Sequence, residues 1–159
     1  MEELLGILRT NAREKPEAIA KMLNLSVAEV ERQIGDYERR GIIRGYRAII
    51  DEEKTQSSRV TALIEVKVTP VREDGFDHIA RRVSEFPEVQ TVYLLSGTFD
   101  LLLLVVGETL KEVASFVSAK LAPLEGVTST CSHFLLKTYK LHGLVMEPRD
   151  EYKRLKVSP

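Results

Sequence analysis

The spacing of hydrophobic residues along the chain changes near residue 50. Before that point, apolar residues recur every three or four positions in three stretches, which is the spacing of amphipathic helices. Beyond it, they alternate with polar residues or run together over segments of strand length, interrupted by two helical stretches. The pattern predicts a small helical unit followed by a unit of mixed helix and sheet.

The third helical stretch has clear signals for its ends and its faces. Ser26 stands at the N-cap position and Glu29 follows three residues later, which predicts a capping box. Gly41 follows the last apolar turn, where a left-handed C-terminal cap is expected. At about 100° per residue, Arg32 and Arg39 lie opposite the apolar stripe. That stripe consists of Val27, Val30, Ile34 and Tyr37.

The helical unit is predicted to be a DNA-binding helix-turn-helix. A short turn joins the second helix, 16–23, to the third, 27–40, and an extended segment with further arginines follows over 42–50. A helix that buries one face and presents guanidinium groups on the other suits the groove of a DNA duplex. The side chains placed to contact bases or phosphates are Ser26, Ala28, Arg32, Gln33, Asp36, Arg39, Arg40, Arg44 and Arg47.

The charge distribution leaves a second interpretation of this helix open. Residues 1–50 hold nine Lys/Arg against eight Asp/Glu, a net charge of +1, so a few placed residues would have to neutralise DNA phosphates. Residues 51–138 hold nine against thirteen, a net of −4, and 139–159 hold five against three, a net of +2. Acidic residues within the helix leave open a three-helix unit that docks a protein or is purely structural: Glu29, Glu31, Asp36 and Glu38.

A polar segment, residues 51–59, is the predicted linker to the second unit. That unit, 60–142, has the order strand, helix, strand, strand, helix, strand, which is the ferredoxin-like βαββαβ arrangement. The chain is therefore predicted to be an α+β protein with a C-terminal extension over 143–159. The predicted elements are the strands 60–69, 89–96, 98–106 and 127–141 and the helices 75–86 and 110–121.

One strand of the second unit predicts self-association. Every residue from Leu101 to Val106 is apolar, so apolar side chains lie on both faces of this strand. Two helices cover only one face of such a sheet, and a monomer rarely leaves a large apolar patch in water. A second copy packed sheet to sheet is the favoured occupant, with residues 42–60 or the C-terminal extension as the alternative.

Two features of the second unit are candidate ligand contacts. In the turn Gly97-Thr98-Phe99-Asp100, glycine leaves backbone amides accessible to a carboxylate and Asp100 can receive an ammonium group, which suits a zwitterionic amino acid. The same residues can also be no more than a hairpin turn. The last strand adds hydroxyl groups on one face, which line a polar pocket or face solvent: Thr128, Thr130 and Ser132.

Other classes of function find no support in the sequence. The three histidines show no metal-ligand spacing, and there is no Ser/His/Asp set and no phosphate-binding glycine loop, so no enzyme, metal site or cofactor is expected. The single cysteine, Cys131, excludes an intrachain disulfide and is expected to pack as a small strand residue. The longest apolar run is far short of the roughly 18 residues of a membrane span, and the acidic N-terminus is unlike a signal peptide. A cytoplasmic protein is expected.

Several motifs together resemble the leucine-responsive regulatory protein/AsnC family, the feast/famine regulators of prokaryotes, over about residues 4–141. The N-terminal motifs are Asn11-Ala12-Arg13, Leu25-Ser26, the spaced Val30, Ile34 and Glu38, and Gly41-Ile42-Ile43-Arg44-Gly45-Tyr46. The C-terminal motifs are Gly97-Thr98-Phe99-Asp100, Gly126-Val127, Ser129-Thr130, Ser132, Leu136 and Lys140. The family commonly has arginine just before the isoleucine of the third helix, where this chain has Gln33.

The resemblance implies a winged helix-turn-helix joined to a ferredoxin-like effector domain. It also implies double-stranded DNA as a partner, dimers formed through the sheets, and assembly of dimers into octamers or other multiples. Small effectors, typically amino acids, would bind at dimer–dimer contacts near the turn, at Gly97, Thr98 and Asp100, with Thr130 and Ser132 as further candidates. The predicted function is a sequence-specific transcriptional regulator whose assembly or operator affinity responds to an amino acid. The alternative is a ligand-sensing oligomer whose N-terminal domain docks protein.

Overall fold

Three helices form the first unit, which extends to Ile50. The computed structural model describes residues 2–55, 59–70 and 75–146. The helices are α1 (Glu2–Thr10), α2 (Pro16–Leu23) and α3 (Val27–Arg39). Their apolar stripes meet in one core. The buried residues of that core are Leu4, Leu8, Ile19, Ala20, Val30 and Tyr37.

A short turn joins α2 to α3. Asn24 adopts a left-handed conformation with φ 53°, which asparagine tolerates better than most residues, and its N–H donates to the Ala20 carbonyl. The N–H of Leu25 donates to the same carbonyl at 2.9 Å. The two helices are thereby joined as the predicted helix-turn-helix.

Gly41 ends α3 through a Schellman motif. Its φ of +67° allows its N–H to donate to the Glu38 carbonyl at 3.0 Å, while the N–H of Ile42 donates to the Tyr37 carbonyl at 2.9 Å. Residues 42–50, all of which the structure describes, then form neither helix nor strand. A strand requires a paired neighbour, and the described part of this unit contains none. This basic segment, residues 42–50, therefore lacks the regular β structure of a wing.

The second unit is built on a four-stranded antiparallel sheet and two helices. The elements are β1 (Val60–Val68), α4 (Asp77–Ser84), β2 (Val89–Leu94), β3 (Leu101–Gly107), α5 (Leu110–Phe116), a π-helical continuation (Val117–Leu121) and β4 (Val127–Phe134). A short 3-10 turn, Glu52–Lys54, precedes β1. The strand order in the sheet is β2-β3-β1-β4. One helix follows β1 and the other follows β3, which confirms the predicted ferredoxin-like order.

Alternation along β1 divides the sheet into two faces. One face carries Ala62, Ile64 and Val66 beside Leu101 and Leu103 of β3, all of them fully buried. Helices α4 and α5 and the segment after them pack on this face through further buried residues: Ile79, Val83, Val113, Phe116, Leu121 and Leu124. The core of the unit therefore lies between the helices and one face of the sheet.

The open face of the sheet is the opposite face, which carries Leu63, Leu102, Leu104 and Val106. These side chains are only half-buried, and α4 and α5 pack on the other side. The register places Leu63 directly opposite Leu104. The structure thus shows the second apolar face that the sequence predicts. None of the described helices combines the length and the hydrophobicity needed to cross a bilayer.

The predicted last strand, 127–141, is too long. β4 ends at Phe134, and the N–H of Leu135 still donates to the Thr61 carbonyl at 2.9 Å. β1 is the neighbour of β4 in the sheet and begins at Val60, so beyond this point the ladder has no partner strand.

A separate hairpin follows the last strand of the sheet. It consists of β5 (Lys140–Leu141) and β6 (Leu144–Val145), and its turn contains His142 with φ 46° and Gly143 with φ 90°. The predicted boundary between residues 142 and 143 falls inside this turn. Residues 147–159 of the predicted extension lie outside the described residues.

Candidate DNA-binding helix and effector loop

Ser26 caps the N-terminus of α3, as predicted. Its Oγ accepts a hydrogen bond from the N–H of Glu29 at 3.2 Å, and both Ser26 and Ala28 are exposed. A full capping box would direct the Glu29 carboxylate back to the N–H of Ser26. That carboxylate accepts instead from Arg32 and Gln33, further along the helix. Glu29 therefore belongs to the charged face of α3. The other residues of this face are Arg32, Gln33, Asp36, Arg39 and Arg40.

Arg32 and Gln33 share the Glu29 carboxylate. Nε of Arg32 donates to Oε2 at 3.0 Å and Nη2 donates to Oε1 at 2.6 Å, while Nε2 of Gln33 donates to Oε1 at 2.9 Å. The hydrogen bonds from Arg32 are the main cause that lowers the pKa of Glu29 to about 2, and the same bonds raise the pKa of Arg32. The carboxylate and the guanidinium are therefore both ionised at neutral pH.

Asp36 forms a second charged cluster two turns after Glu29. Its carboxylate lies 3.5 Å from Nη2 of Arg39 and 3.2 Å from Nη1 of Arg40. The side chains of Arg32, Arg39 and Arg40 remain 65%, 72% and 57% exposed. Exposed ion pairs are weak, so these guanidinium groups can exchange a carboxylate for a phosphate oxygen.

Tyr46 ties the segment after α3 to the helix. Its hydroxyl donates to Oε1 of Glu38 at 2.9 Å, and burial, more than this bond, raises the pKa of Tyr46. Arg44 lies against Gly41, where an added methyl group would come within 3.3 Å of the guanidinium carbon. Arg47 is exposed. Contacts with α3, rather than a β hairpin, therefore position the start of the basic segment.

Asp100 is fixed by the end of β1. The strands that flank it are shorter than predicted, so residues 95–100 connect Leu94 to Leu101. Oδ2 of Asp100 accepts from the N–H of Val68 at 2.9 Å, and the N–H of Asp100 donates to the Val66 carbonyl at 3.1 Å. One oxygen of the carboxylate predicted to receive an ammonium group thus already accepts a backbone hydrogen bond.

The predicted effector residues lie on two different parts of the sheet. Gly97 and Thr98 are exposed in the loop between β2 and β3, whereas Thr130 and Ser132 lie on β4 at the other edge. Thr130 pairs with Val66 of β1, so it lies two strand spacings, or about 10 Å, from β3. Ser132 lies further along the same strand. A single protomer therefore does not gather these residues into one pocket.

A cleft of about 790 Å³ lies elsewhere in the second unit, against α5 and the ends of β2 and β3. Glu88 and Lys120 form an ion pair at its wall, and the hydrogen bond from Lys120 is the main cause that lowers the pKa of Glu88. None of the predicted effector residues lines this cleft. The residues that line this cleft come from segments distant in sequence, so no local motif predicts it.

The open face also carries a cluster of three possible metal ligands, which the sequence pattern does not predict: Glu65, Cys131 and His133. Nε2 of His133 lies 3.3 Å from Oε2 of Glu65 and 3.5 Å from Sγ of Cys131. Cys131 is a strand residue as expected, but it is exposed rather than packed, because its position on β4 faces away from the helices. The alternation Cys131-Ser132-His133 is the available sequence signal, and the β1–β4 register supplies Glu65.

The sequence pattern of the Lrp/AsnC ligand binding domain matches residues 61–145, which is more than half of the chain. The chain belongs to the Lrp/AsnC family. The match covers the sheet of the second unit except its first residue, Val60, and the hairpin that follows it. Membership confirms the resemblance and makes the chain a helix-turn-helix transcriptional regulator with a ligand-binding domain.

Similarity to other transcriptional regulators extends the match to the first unit. YugG, an uncharacterized helix-turn-helix transcriptional regulator of Bacillus subtilis strain 168, is 47% identical over 158 residues, covering 99% of this chain and 95% of YugG. The proline dehydrogenase transcriptional activator of Rhodobacter capsulatus is 31% identical, covering 84% of this chain and 86% of the activator. The transcriptional regulator NMB0573 of Neisseria meningitidis, solved in complex with L-Met, aligns with a TM-score of 0.69 at 27% identity, covering 87% of this chain and 88% of NMB0573.

Proposed function

We propose that this Lrp/AsnC protein binds double-stranded DNA through α3 and the basic segment after it, and that an amino acid bound by the second unit modulates its assembly or its operator affinity. The observation that carries the proposal is the charged face of α3. There Glu29 and Asp36 hold exposed arginine side chains opposite the buried stripe. Exposed guanidinium groups on one face of a helix suit the base edges and phosphates of a major groove.

The candidate DNA contacts on α3 and in the basic segment divide between base edges and phosphates. Arg32 and Gln33 suit base edges, because arginine pairs with guanine and glutamine pairs with adenine. Ser26 and Ala28 stand at the exposed first turn of α3, where a recognition helix approaches DNA. In the absence of DNA, Asp36 pairs with Arg39 and Arg40, and on binding DNA phosphates would replace its carboxylate as their partner. The side chains assigned to phosphates are Arg39, Arg40, Arg44 and Arg47.

A dimer formed through the open face presents two such helices. Leu63, Leu102, Leu104 and Val106 are aliphatic and half-buried, and a second copy of the same face is a complementary cover for them. A two-fold dimer of this kind reads two half-sites separated by about one turn of DNA or a multiple of it. In an octamer or another assembly of dimers, the loops that carry Gly97, Thr98 and Asp100 would come together.

An amino-acid effector fits between protomers better than within one. NMB0573 binds L-Met, which supports this ligand class. Asp100 suits the ammonium group and the amides at Gly97 and Thr98 suit the carboxylate, while the distance across β1 means that Thr130 and Ser132 would come from another copy. Such a ligand shifts the assembled states only by its difference in affinity for them.

Binding to the DNA upstream of its own gene tests the first half of the proposal. Fluorescence anisotropy across a salt series is expected to show an affinity that falls steeply as salt rises, since each neutralised phosphate releases counterions. Failure to bind any DNA fragment at low salt would contradict it. That result would favour a protein-docking unit, for which the acidic partners of the arginines are the supporting observation.

A thermal-shift screen against the twenty amino acids tests the second half. A ligand that binds only the folded protein raises its melting temperature, by an amount that grows with ligand concentration. The chain has no Trp, so an extrinsic dye or calorimetry is the suitable readout. An absence of any shift at millimolar amino acid, with DNA binding intact, would remove the amino-acid effector and leave the DNA-binding proposal standing.

A further inference from the structure

We propose that Glu65, Cys131 and His133 form a zinc-binding site on the open face of the sheet. The inference does not depend on DNA binding or on an amino-acid effector. It rests on three side chains from two neighbouring strands whose ligand atoms all lie within 4.8 Å of one another.

The β1–β4 ladder places the three residues together. Glu65 is directly opposite Cys131, and His133 lies two residues further along β4, opposite Leu63. Successive side chains of a strand point to opposite faces, so residues 131 and 133 share a face, and cross-strand partners share it too. This face is the one that α4 and α5 leave open. The arrangement is therefore set by backbone pairing and not by the chance approach of long side chains.

Two of the three separations between the ligand atoms match those around a zinc ion. A tetrahedral site with Zn–N and Zn–O bonds near 2.0–2.1 Å and a Zn–S bond near 2.3 Å puts neighbouring ligand atoms about 3.3–3.6 Å apart. Nε2 of His133 lies 3.3 Å from Oε2 of Glu65 and 3.5 Å from Sγ of Cys131. The ligand atoms of Glu65 and Cys131 lie within 4.8 Å of each other, so rotation of these two side chains would bring all three ligands onto one ion.

Hydrogen bonding alone explains this geometry less well. Both contacts fall on the same atom, Nε2 of His133, which carries at most one proton. A Cys/His/Glu relay of the catalytic kind would need the carboxylate and the sulfur on different ring nitrogens. A metal ion bound to Nε2 lets the imidazole, the thiolate and the carboxylate all act as electron-pair donors to one centre.

The chemistry of the three ligands selects zinc. Thiolate and imidazole favour zinc over magnesium or calcium, and a carboxylate is a common additional ligand of zinc. Thiolate and carboxylate together carry two negative charges, which balance those of the ion. In one protomer the His133 and Glu65 side chains are 55% and 30% exposed, and β4 is the edge strand of the sheet. The site therefore lies at the margin of the open face, where an ion can reach it from solvent and a water can complete the coordination.

Cobalt substitution provides a direct test. The untagged full chain, stripped of metal and kept reduced with a non-thiol reagent, is titrated with Co²⁺ alone and then with Zn²⁺. We expect a thiolate-to-cobalt charge-transfer band in the near ultraviolet, visible bands of tetrahedral intensity, saturation at one ion per chain, and loss of both signals when zinc displaces cobalt. A spectrum of octahedral cobalt without a charge-transfer band would overturn the proposal.

Matched variants assign the ligands. Cys131→Ser should abolish the charge-transfer band, and His133→Ala should weaken zinc binding at least about tenfold, since even residues that only support a ligand have effects of 10- to 100-fold. His78→Ala, which replaces an exposed histidine on α4, should leave both unchanged. Equal weakening by His78→Ala and His133→Ala would refute the assignment. All three positions are exposed, so the metal-free variants are expected to melt close to the wild type, which calorimetry verifies.

Discussion

The charged face of α3 consists mainly of ionised side chains, whereas the open face of the sheet carries aliphatic ones on β1 and β3. On α3, arginine side chains that are more than half exposed are held by carboxylates, in contacts that water and salt weaken. On the sheet, aliphatic side chains are held half-buried by a ladder of backbone pairs, and their association depends on apolar area, not on charge. The two surfaces can therefore be disabled one at a time.

Leu104→Asp is expected to have the largest effect, on self-association. A carboxylate on the open face would be buried against its copy in the dimer, and a penalty of several kcal/mol raises the dissociation constant about 100-fold or more, since each 1.4 kcal/mol is a factor of ten. Light scattering with size exclusion at micromolar concentration measures it. Leu110→Asp, at a leucine 57% exposed on α5, is the control and should leave the dimer intact. Dissociation by the control alone would place the interface elsewhere.

Arg32→Ala and Arg39→Ala should weaken DNA binding without changing the oligomer. Loss of a base contact reduces affinity by about 1–3 kcal/mol, whereas loss of a phosphate contact weakens binding to all sequences and lowers the salt slope by about one. Arg81→Ala removes a similarly exposed arginine, paired with Asp77 on α4, and serves as the control. A control that weakens binding as much as the α3 variants would show that the charge of α3 is not special.

Two substitutions at Asp100 separate its structural role from its proposed binding role. Asp100→Ala removes the acceptor of the Val68 N–H and should lower stability by about 0.5–1.5 kcal/mol, seen as a lower melting temperature. Asp100→Asn retains an acceptor but removes the charge, so its melting temperature should stay near the wild type while the stabilisation by an amino acid is lost. Retention of that stabilisation in Asp100→Asn would show that Asp100 only supports the loop.

The smallest expected effect concerns the titration of Glu29. Its pKa lies near 2 because Arg32 donates to it, so Arg32→Ala should raise that pKa toward the ordinary value of 4.5. A carboxylate with a lowered pKa stabilises the fold above the unfolded value, near 4.5, and this contribution disappears as the pH falls through about 2. Carbon NMR of the Glu29 carboxyl measures the shift. Arg39→Ala should leave it in place, since Arg39 pairs with Asp36.

The order of elements was predictable from the sequence because hydrophobic spacing and capping residues act locally. Ser26 and Gly41 end α3 where the pattern places them, and the alternation in β1 identifies its buried face. The end of β4 was not predictable, because it depends on where β1 begins. The separate hairpin at Lys140 was not predictable for the same reason. The pattern of apolar residues continues beyond β4, but it does not show that β1, the neighbouring strand, has no further residues to pair with.

The candidate sites were predictable as residue types but not as partners. Sequence spacing puts Arg32 and Arg39 on the exposed face of α3, yet it does not show that Glu29 turns away from its cap to pair with Arg32. The proposed zinc ligands depend on register between strands far apart in the chain, where a shift of one residue would move Glu65 to the other face. Long-range register is a property of the folded sheet.

The backbone conformation of Gly41 determines the direction in which the chain leaves α3 toward Arg44 and Arg47. Any L-amino acid there would be strained at φ +67°, and its methyl group would press on the guanidinium of Arg44. The main chain at Gly41, through its two hydrogen bonds back to α3, therefore sets where the segment that carries Arg44 leaves the helix. A cation whose position is set by the backbone loses less conformational freedom when it binds a partner.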